Sequence, residues 1–479
     1  MPFEMPQFAL AAPEIWLGVM LCVVLIADLF DRGGESLLAF YLTQATLVGA
    51  MALAIHTHWG GDAVITFNGM YISDSLAAVL KVAIAGLTII TLGYGRDYLR
   101  DRDLLKGEIY LLVLTATLGM FVMASASSLL VLYMGLELLS LSLYAMVAFD
   151  RDSRIGAEAA MKYFILGALS SGMLLYGMSM IYGAAGSLLI SDIAAAALAG
   201  DNLLLAFGMT FALVGIAFKF GAAPFHMWVP DVYQGAPTAV TAFLGTAPKV
   251  AALALFLRLM ADGLGDLHAQ WQIMGIILAA GSLVVGNLFA LVQTSFKRML
   301  AYSTVSHIGF LFLGLVAGSD EGYAAALFYA ISYGIMAAGA FGMIMLLSRR
   351  GFEADMIDDL SGLNDRHGGY ALVMLLLMFS MTGIPGTVGF YAKWLVLSAL
   401  VEAGLIWLAV LAVVFAVIGA FYYLRVLKAV YFDRVDSPQP VEATSGQQVL
   451  MWANGGAVLL LGLFPDTLIA TCRAVFGLG

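Results

Sequence analysis

The sequence predicts an all-α membrane protein with about 14 transmembrane helices, and three observations carry that prediction. Hydrophobic residues make up 62% of the 479-residue chain, charged residues only 11%, and the mean hydropathy is +0.95, a balance found in chains immersed in lipid. Apolar runs long enough to cross a bilayer recur from one end to the other. Basic residues concentrate in alternate connections, as the orientation rule for membrane helices requires.

Taken in order, the spans cover 13–30, 36–56, 73–95, 107–125, 127–149, 155–183, 203–236, 237–261, 270–292, 299–318, 323–348, 371–401, 404–432 and 448–474. The first begins at Pro13 with no basic stretch before it, so it reads as a retained helix and not as a cleaved leader. Of the 22 Lys and Arg, 15 lie in odd-numbered connections or at their edges: Arg32; Arg96, Arg100, Arg102, Lys106; Arg151, Arg154; Lys297, Arg298; Arg349, Arg350, Arg366; Arg425, Lys428, Arg434. The even-numbered connections hold none, apart from Arg258 near the end of the eighth span and Arg473 at the terminus. This pattern puts the odd connections in the cytoplasm and both termini in the periplasm of a bacterial inner membrane. Lys297 and Arg298 read as topology anchors at that boundary.

Two spans are too long for one straight helix. Residues 203–236 would form a rod of about 50 Å and 371–401 one of about 46 Å, against roughly 30 Å of hydrocarbon. Each has breakers in its middle, GAAPF at 221–225 and TGIPGTVGF at 382–390. Interruptions of this kind free backbone groups that lipid does not tolerate unless protein or a wet cavity surrounds them. The breaks also suggest a repeat. Spans 4 to 8 and 9 to 13 form two five-helix units with a broken fourth helix in each, and an odd helix number inverts the second unit. The expected organisation is 1–106 for the first three helices, 107–261 and 270–432 for the two repeats, and 433–479 for a loop and the last helix.

Five lysines, Lys81, Lys162, Lys219, Lys249 and Lys393, fall inside apolar stretches, with no arginine at comparable depth. An ammonium can lose its proton under the influence of its surroundings, whereas a guanidinium cannot, so the choice of lysine points to titration. Lys219 precedes the first break by two residues and Lys393 follows the second by three, the placement expected of an ion path. The two cysteines, Cys22 and Cys472, are too few and too far apart for an iron–sulfur or zinc site. No glycine-rich phosphate loop is present. The net charge of −10 argues against nucleic acid.

Four segments, LYMGLELLSLSLYAM at 132–146, AAMKYFILGALSSGMLLYG at 159–177, FKFGAAPFHMWVPDVYQGAPTAVTAFLGTAPK at 218–249 and QTSFKRMLAYSTVSHIGF at 293–310, resemble the antiporter-like subunits of proton-pumping NADH:quinone oxidoreductase, respiratory complex I. Within that family the chain resembles subunit N more than subunit L, whose pattern adds a long lateral helix. The resemblance implies a site composed of Glu137, the Lys219 paired with it, Lys249 and the terminal Lys393, with Lys162 and His307 as further members. It implies that NADH, flavin, iron–sulfur clusters and quinone belong to partner subunits, with no cofactor in this chain. Its partners would be other membrane subunits of complex I, including neighbouring antiporter-like subunits, and the lipid bilayer.

Alternatives stand beside several of these residues. Lys81, which matches no family position, reads equally as a snorkelling or carbonyl-bound side chain. Lys162 has Glu158 four residues before it, in the favourable orientation for a static ion pair. His226, just after the first break, reads as a helix-end ligand or a relay, and His307 as a satisfied polar contact or part of a wet path. At the level of function the rivals are a subunit of a multi-subunit sodium/proton antiporter, a membrane subunit of a hydrogenase or formate-oxidising complex, and an assembly subunit with inert charges.

Overall fold

A bilayer offers no water to backbone N–H and C=O groups, so an apolar chain must satisfy them within itself. This one does so as helices. The computed structural model describes residues 5–30, 36–58, 61–199, 202–434, 441 and 443–478; Arg32, counted above among the basic residues, lies outside them. In chain order the helices are α1 (Ala12–Phe30), α2 (Leu37–Thr57), α3 (Ser75–Arg100), α4 (Gly107–Ala124), α5 (Leu129–Val147), α6 (Arg154–Ala185), α7 (Ile190–Leu198), α8 (Leu203–Phe220), α9 (Trp228–Gly235) and α10 (Thr238–Leu244). They continue with α11 (Ala247–Phe256), α12 (His268–Leu291), α13 (Phe296–Val316), α14 (Asp320–Leu347), the single turn α15 (Leu363–Arg366), α16 (Gly368–Thr382), α17 (Val388–Glu402), α18 (Ile406–Phe432), α19 (Ser445–Leu463) and α20 (Asp466–Ala474).

Among the described residues, twelve helical segments are each long and apolar enough to cross a membrane, or thirteen if α19 and α20 count as one bent span. The chain is an all-α membrane protein. Both long spans divide at their breakers. α8 stops at Gly221, whose φ of +80° is left-handed and strained for any side chain, and α16 stops at Gly383, with φ +93°.

Three features depart from the sequence reading. Span 237–261 is not one helix: α10 ends before Gly245 and Thr246, and α11 leads into a π-helical segment, Leu257–Gly263. The last span bends by 77° between α19 and α20, where Pro465 cannot continue the α19 hydrogen-bond ladder. A short antiparallel hairpin pairs β1 (Val64–Thr66) with β2 (Tyr71–Ser73) ahead of α3.

The segment Thr238–Gly263, together with α13 and α14, occupies the centre, whereas α1, α2 and α18 are the least buried of the long helices. Small residues let the outer helices close on one another. A Cβ on Gly119 of α4 would lie 2.6 Å from the Gly135 carbonyl of α5, and one on Gly177 of α6 would lie 2.6 Å from the Gly208 carbonyl of α8. These backbone approaches are typical of membrane helix crossings; they close α4 on α5 and α6 on α8, and α5, α6 and α8 carry the first half of the site.

Candidate functional site: a buried polar axis

The first half of the axis is built by α5, α6 and α8. Lys219, in the last turn of α8, donates to Ser140 Oγ at 2.8 Å and to Ser171 Oγ at 3.5 Å. Ser171 in turn donates a short hydrogen bond to Glu137 Oε1. The carboxylate and the ammonium thus communicate through a hydroxyl, with no direct ion pair between them within 4 Å.

Lys249 stands on the other side of the break. Its side chain is buried, its Nζ donates to the Phe220 carbonyl at 3.0 Å, and it lies 4.9 Å from the Trp228 ring centre. The last carbonyls of any helix lack intrahelical partners and carry partial negative charge. Ending α8 at Phe220 therefore supplies a buried lysine with its acceptor. Trp228 Nε1 takes another of these carbonyls, that of Phe218, at 3.0 Å. Lys219, Lys249, Ser140, Tyr163 and Trp228 line one cavity of about 20 Å³, enough for a single water.

The second half repeats the device. Lys393, on α17 just past the second break, donates to the Met381 and Thr382 carbonyls at 3.0 and 2.7 Å, and lies 4.9 Å from the Phe310 ring centre. Between this lysine and the first half runs a line of hydroxyls around His307. His307 Nδ1 is 2.7 Å from Tyr329 Oη and Nε2 is 3.0 Å from Tyr423 Oη, which is itself 2.5 Å from Ser303 Oγ. Tyr333 donates to Thr304 at 2.7 Å, one turn before His307. Asn287, bound to Ser306 at 2.8 Å and to Tyr422 at 3.1 Å, extends the network to α12.

Residues 126–419, more than half of the chain, match the sequence profile of the family described as NADH:quinone oxidoreductase/Mrp antiporter, TM. The chain belongs to that family. It is 63% identical over 99% of its length to NADH-quinone oxidoreductase subunit N from Alkalilimnicola ehrlichii, covering 98% of that protein. A chain in respiratory complex I from Thermus thermophilus with bound aureothin superposes with a TM-score of 0.82 at 33% identity, over 96% of this chain and 98% of that one. A chain of the Mrp complex from Dietzia sp. gives a TM-score of 0.87 at 20% identity, over 98% and 97%, a likeness of fold alone.

Glu137, Lys219, Lys249, His307 and Lys393 all lie inside the antiporter-family region; Glu137 and Lys219 share Ser171, whereas Lys249 and Lys393 bond backbone carbonyls and His307 bonds two tyrosines. Lys162 and His226 fall inside it too, but differently. Lys162 is half-exposed and paired with Glu158 at 2.9 Å and Asp231 at 2.8 Å, while Arg298 holds the other oxygen of Asp231 at 2.9 Å. This surface ion cluster stands at the bundle end that carries the basic connections. His226 occupies the first break, where its buried Nδ1 has no hydrogen-bond partner.

Lys81 lies before the family region. It is buried and pairs with Glu14 Oε1 at 2.5 Å, while its Nζ donates to the Tyr71 hydroxyl and that hydroxyl donates to Glu14 Oε2, each at 3.1 Å. Glu14, near the start of α1, offers no sequence signal of this partnership. The same holds for Arg258, buried against Asp74 at 2.7 Å, Asp262 at 3.1 Å and the Ala124 carbonyl. Arg298 has the surface position of an anchor. Lys297 does not: it is buried and donates to the Ala236 carbonyl at 2.7 Å, again a carbonyl at a helix end.

Beside Lys297, Glu353 on the connection after α14 accepts from Arg102 and Thr238 at 2.5 Å each and from Tyr98 at 2.9 Å. Burial alone would raise this carboxyl, but Lys297, Arg102 and the hydroxyl donors outweigh it and hold it below the usual carboxylate range. A carboxyl lowered by folding stabilises the protein above its unfolded value, and that contribution disappears as pH falls through the folded one. The melting-temperature gap between the wild-type chain and Glu353→Gln should therefore be full at neutral pH and shrink below about pH 4, as thermal melts in detergent across acid pH would read.

Proposed function

We propose that the chain works as the proton-translocating subunit N of a bacterial NADH:quinone oxidoreductase, driven by electron transfer in its partner subunits. The observation that carries this reading is the pair of broken helices whose end carbonyls each hold a lysine, together with the hydroxyl network around His307. Sequence identity to subunit N along nearly the whole chain supports the assignment to that subunit.

In this reading the membrane is the bacterial inner membrane, the odd connections face the cytoplasm and both termini face the periplasm. Residues 107–261 and 270–432 act as inverted units. Neighbouring antiporter-like subunits are the partners, and NADH, flavin, iron–sulfur clusters and quinone reside outside this chain. Protons enter from the cytoplasm toward Lys219 and Lys249, move laterally past His307 and leave to the periplasm from Lys393. Lys162 and His226 are accessory. When Glu137 is ionised and close, it favours the charged form of Lys219; as it withdraws or is neutralised, the lysine releases its proton onward. Moving one charge against 100 mV costs about 2.3 kcal/mol, within what rearranging a buried ion pair supplies.

Lys219→Ala in the assembled enzyme, reconstituted in vesicles, is expected to abolish or greatly reduce proton pumping during NADH oxidation. An unchanged proton-to-electron ratio would defeat the assignment. The fold shared with the Mrp complex chain keeps a sodium/proton antiporter as the second reading; vesicles that change internal pH on a sodium gradient without NADH would favour it.

A further inference from the structure

The two breaks end their first helices in the same way and then differ. At the first, the Gly221 N–H returns to the Ala217 and Phe218 carbonyls and the Ala222 N–H to Ala217; at the second, Gly383 returns to Phe379 and Ser380 and Ile384 to Phe379. Past these turns each break has a further backbone N–H to satisfy, for which lipid offers no partner. The second break does so within its own span, where the Gly389 N–H of α17 donates to Ser380 Oγ of α16 at 3.0 Å. The first does not. Its Ala223 N–H donates to Ser282 Oγ of α12 at 2.8 Å, with both residues buried and the partner 59 residues further along the chain. α12 is in turn fixed to α13, the helix of His307. A Cβ on Gly286 of α12 would lie 2.5 Å from the Ser306 nitrogen, one on Gly309 of α13 would lie 3.0 Å from the Leu283 nitrogen, and Asn287 bonds Ser306 at 2.8 Å.

We propose that Ser282 is a positioning residue for translocation, which fixes the first break to the α12–α13 pair that carries His307. The inference rests on the translocation reading above and adds a residue to it. Phe220, whose carbonyl accepts from Lys249, lies three residues before Ala223, and Lys219 comes one residue earlier still. The two residues between, Gly221 and Ala222, are tied back to α8, so little slack separates the atom that Ser282 holds from the atom that Lys249 uses. Ser282 acts through that short stretch of backbone and not by contact with a lysine. A local partner, as at the second break, would hold the first break whatever the rest of the bundle did. A partner on α12 makes the arrangement of the break, and with it the acceptor of Lys249, depend on where the His307 helices sit.

The test is Ser282→Ala in the assembled enzyme, which removes one oxygen from a buried helix face and alters no charge. The expected result is vesicle acidification during NADH oxidation about tenfold slower per assembled enzyme, within the roughly hundredfold that a misplacement of about 1 Å can cost. Ser282→Thr, which keeps the oxygen, is expected to recover most of that rate; a rate no higher than that of Ser282→Ala would overturn the proposal. A merely structural serine gives another pattern. Ser282→Ala would then melt at a lower temperature in detergent, because a buried N–H loses its partner, yet the complexes that assemble would acidify at the wild-type rate, and this too would overturn the positioning role. Should Ser282→Ala fail to assemble, Ser282→Cys places a weaker acceptor in nearly the same volume and is expected to acidify more slowly than wild type, with an unchanged rate as the overturning result. Lys219→Ala run alongside separates the two levels. Acidification lost in Lys219→Ala but normal in Ser282→Ala overturns the positioning role alone, and acidification intact in both overturns the translocation reading beneath it.

Discussion

Replacing Lys81 with methionine is expected to destabilise the folded chain by about 3–5 kcal/mol, because it leaves the Glu14 carboxylate buried without its cation. The pair is closed from every side: Lys81 is almost wholly buried, Glu14 lies 2.5 Å away, and the Tyr71 hydroxyl bonds to both. Since the desolvation of two charges offsets much of their attraction, removing both should cost far less than removing one. Lys81→Met combined with Glu14→Leu is therefore expected to recover most of the lost stability. Midpoints of thermal unfolding in detergent, taken for the two single variants and the double, measure this directly. A double variant as unstable as Lys81→Met would show that the cluster works through shape and hydrogen bonding instead of charge. The cluster ties α1 and the β1–β2 hairpin to α3 and stands before the family region, so complexes that do assemble with the double variant are expected to pump normally.

Depth along the chain singles out Lys81 and Lys249, which the structure buries, but also Lys162, which it exposes, and it says nothing of their partners. The helix breaks were legible because Gly221, Pro224, Gly383 and Pro385 cannot continue a helix, and the structure divides both spans at those residues. What the chain does with the freed carbonyls was not legible. Phe220 O becomes an acceptor only once α8 and α11 pack, and Thr382 O only once α16 and α17 meet across the break, and no residue pattern encodes either meeting. Lys162 falls inside an apolar stretch as Lys249 does, yet it sits on an outward face of α6 beside Asp231, whereas Lys249 starts a helix enclosed on all sides. Periodicity cannot separate an outward face from an inward one when both are apolar, because lipid and core select the same residues. The division of span 237–261 at Gly245 and Thr246 was missed for a related reason: its glycine and threonine are as common in membrane helices as outside them.

Lys249→Arg and Lys393→Arg are expected to abolish proton transport while leaving the fold assembled, and this contrast separates two roles that the geometry leaves superposed. Each lysine holds the carbonyl end of a broken helix, at 3.0 Å for Phe220 and 2.7 Å for Thr382. A permanent cation would serve that purpose at least as well, since a guanidinium brings five donors to an ammonium's three. If capping the breaks is the whole task, arginine at either position preserves pumping, apart from the overpacking penalty of about 1–3 kcal/mol that a longer side chain incurs in a tight core. If the task includes surrendering a proton, arginine fails. Its reference pKa lies about two units or more above that of lysine, so release slows by roughly a hundredfold or more in the same surroundings. Lys249→Met and Lys393→Met complete the comparison, for methionine neither caps nor titrates and should lose stability as well as transport. The readouts are the melting temperature in detergent and the rate of vesicle acidification per NADH oxidised. Arginine variants that melt normally yet do not acidify identify the lysines as carriers; arginine variants that pump would reduce them to helix caps and move the search for the carrier to the hydroxyl line itself.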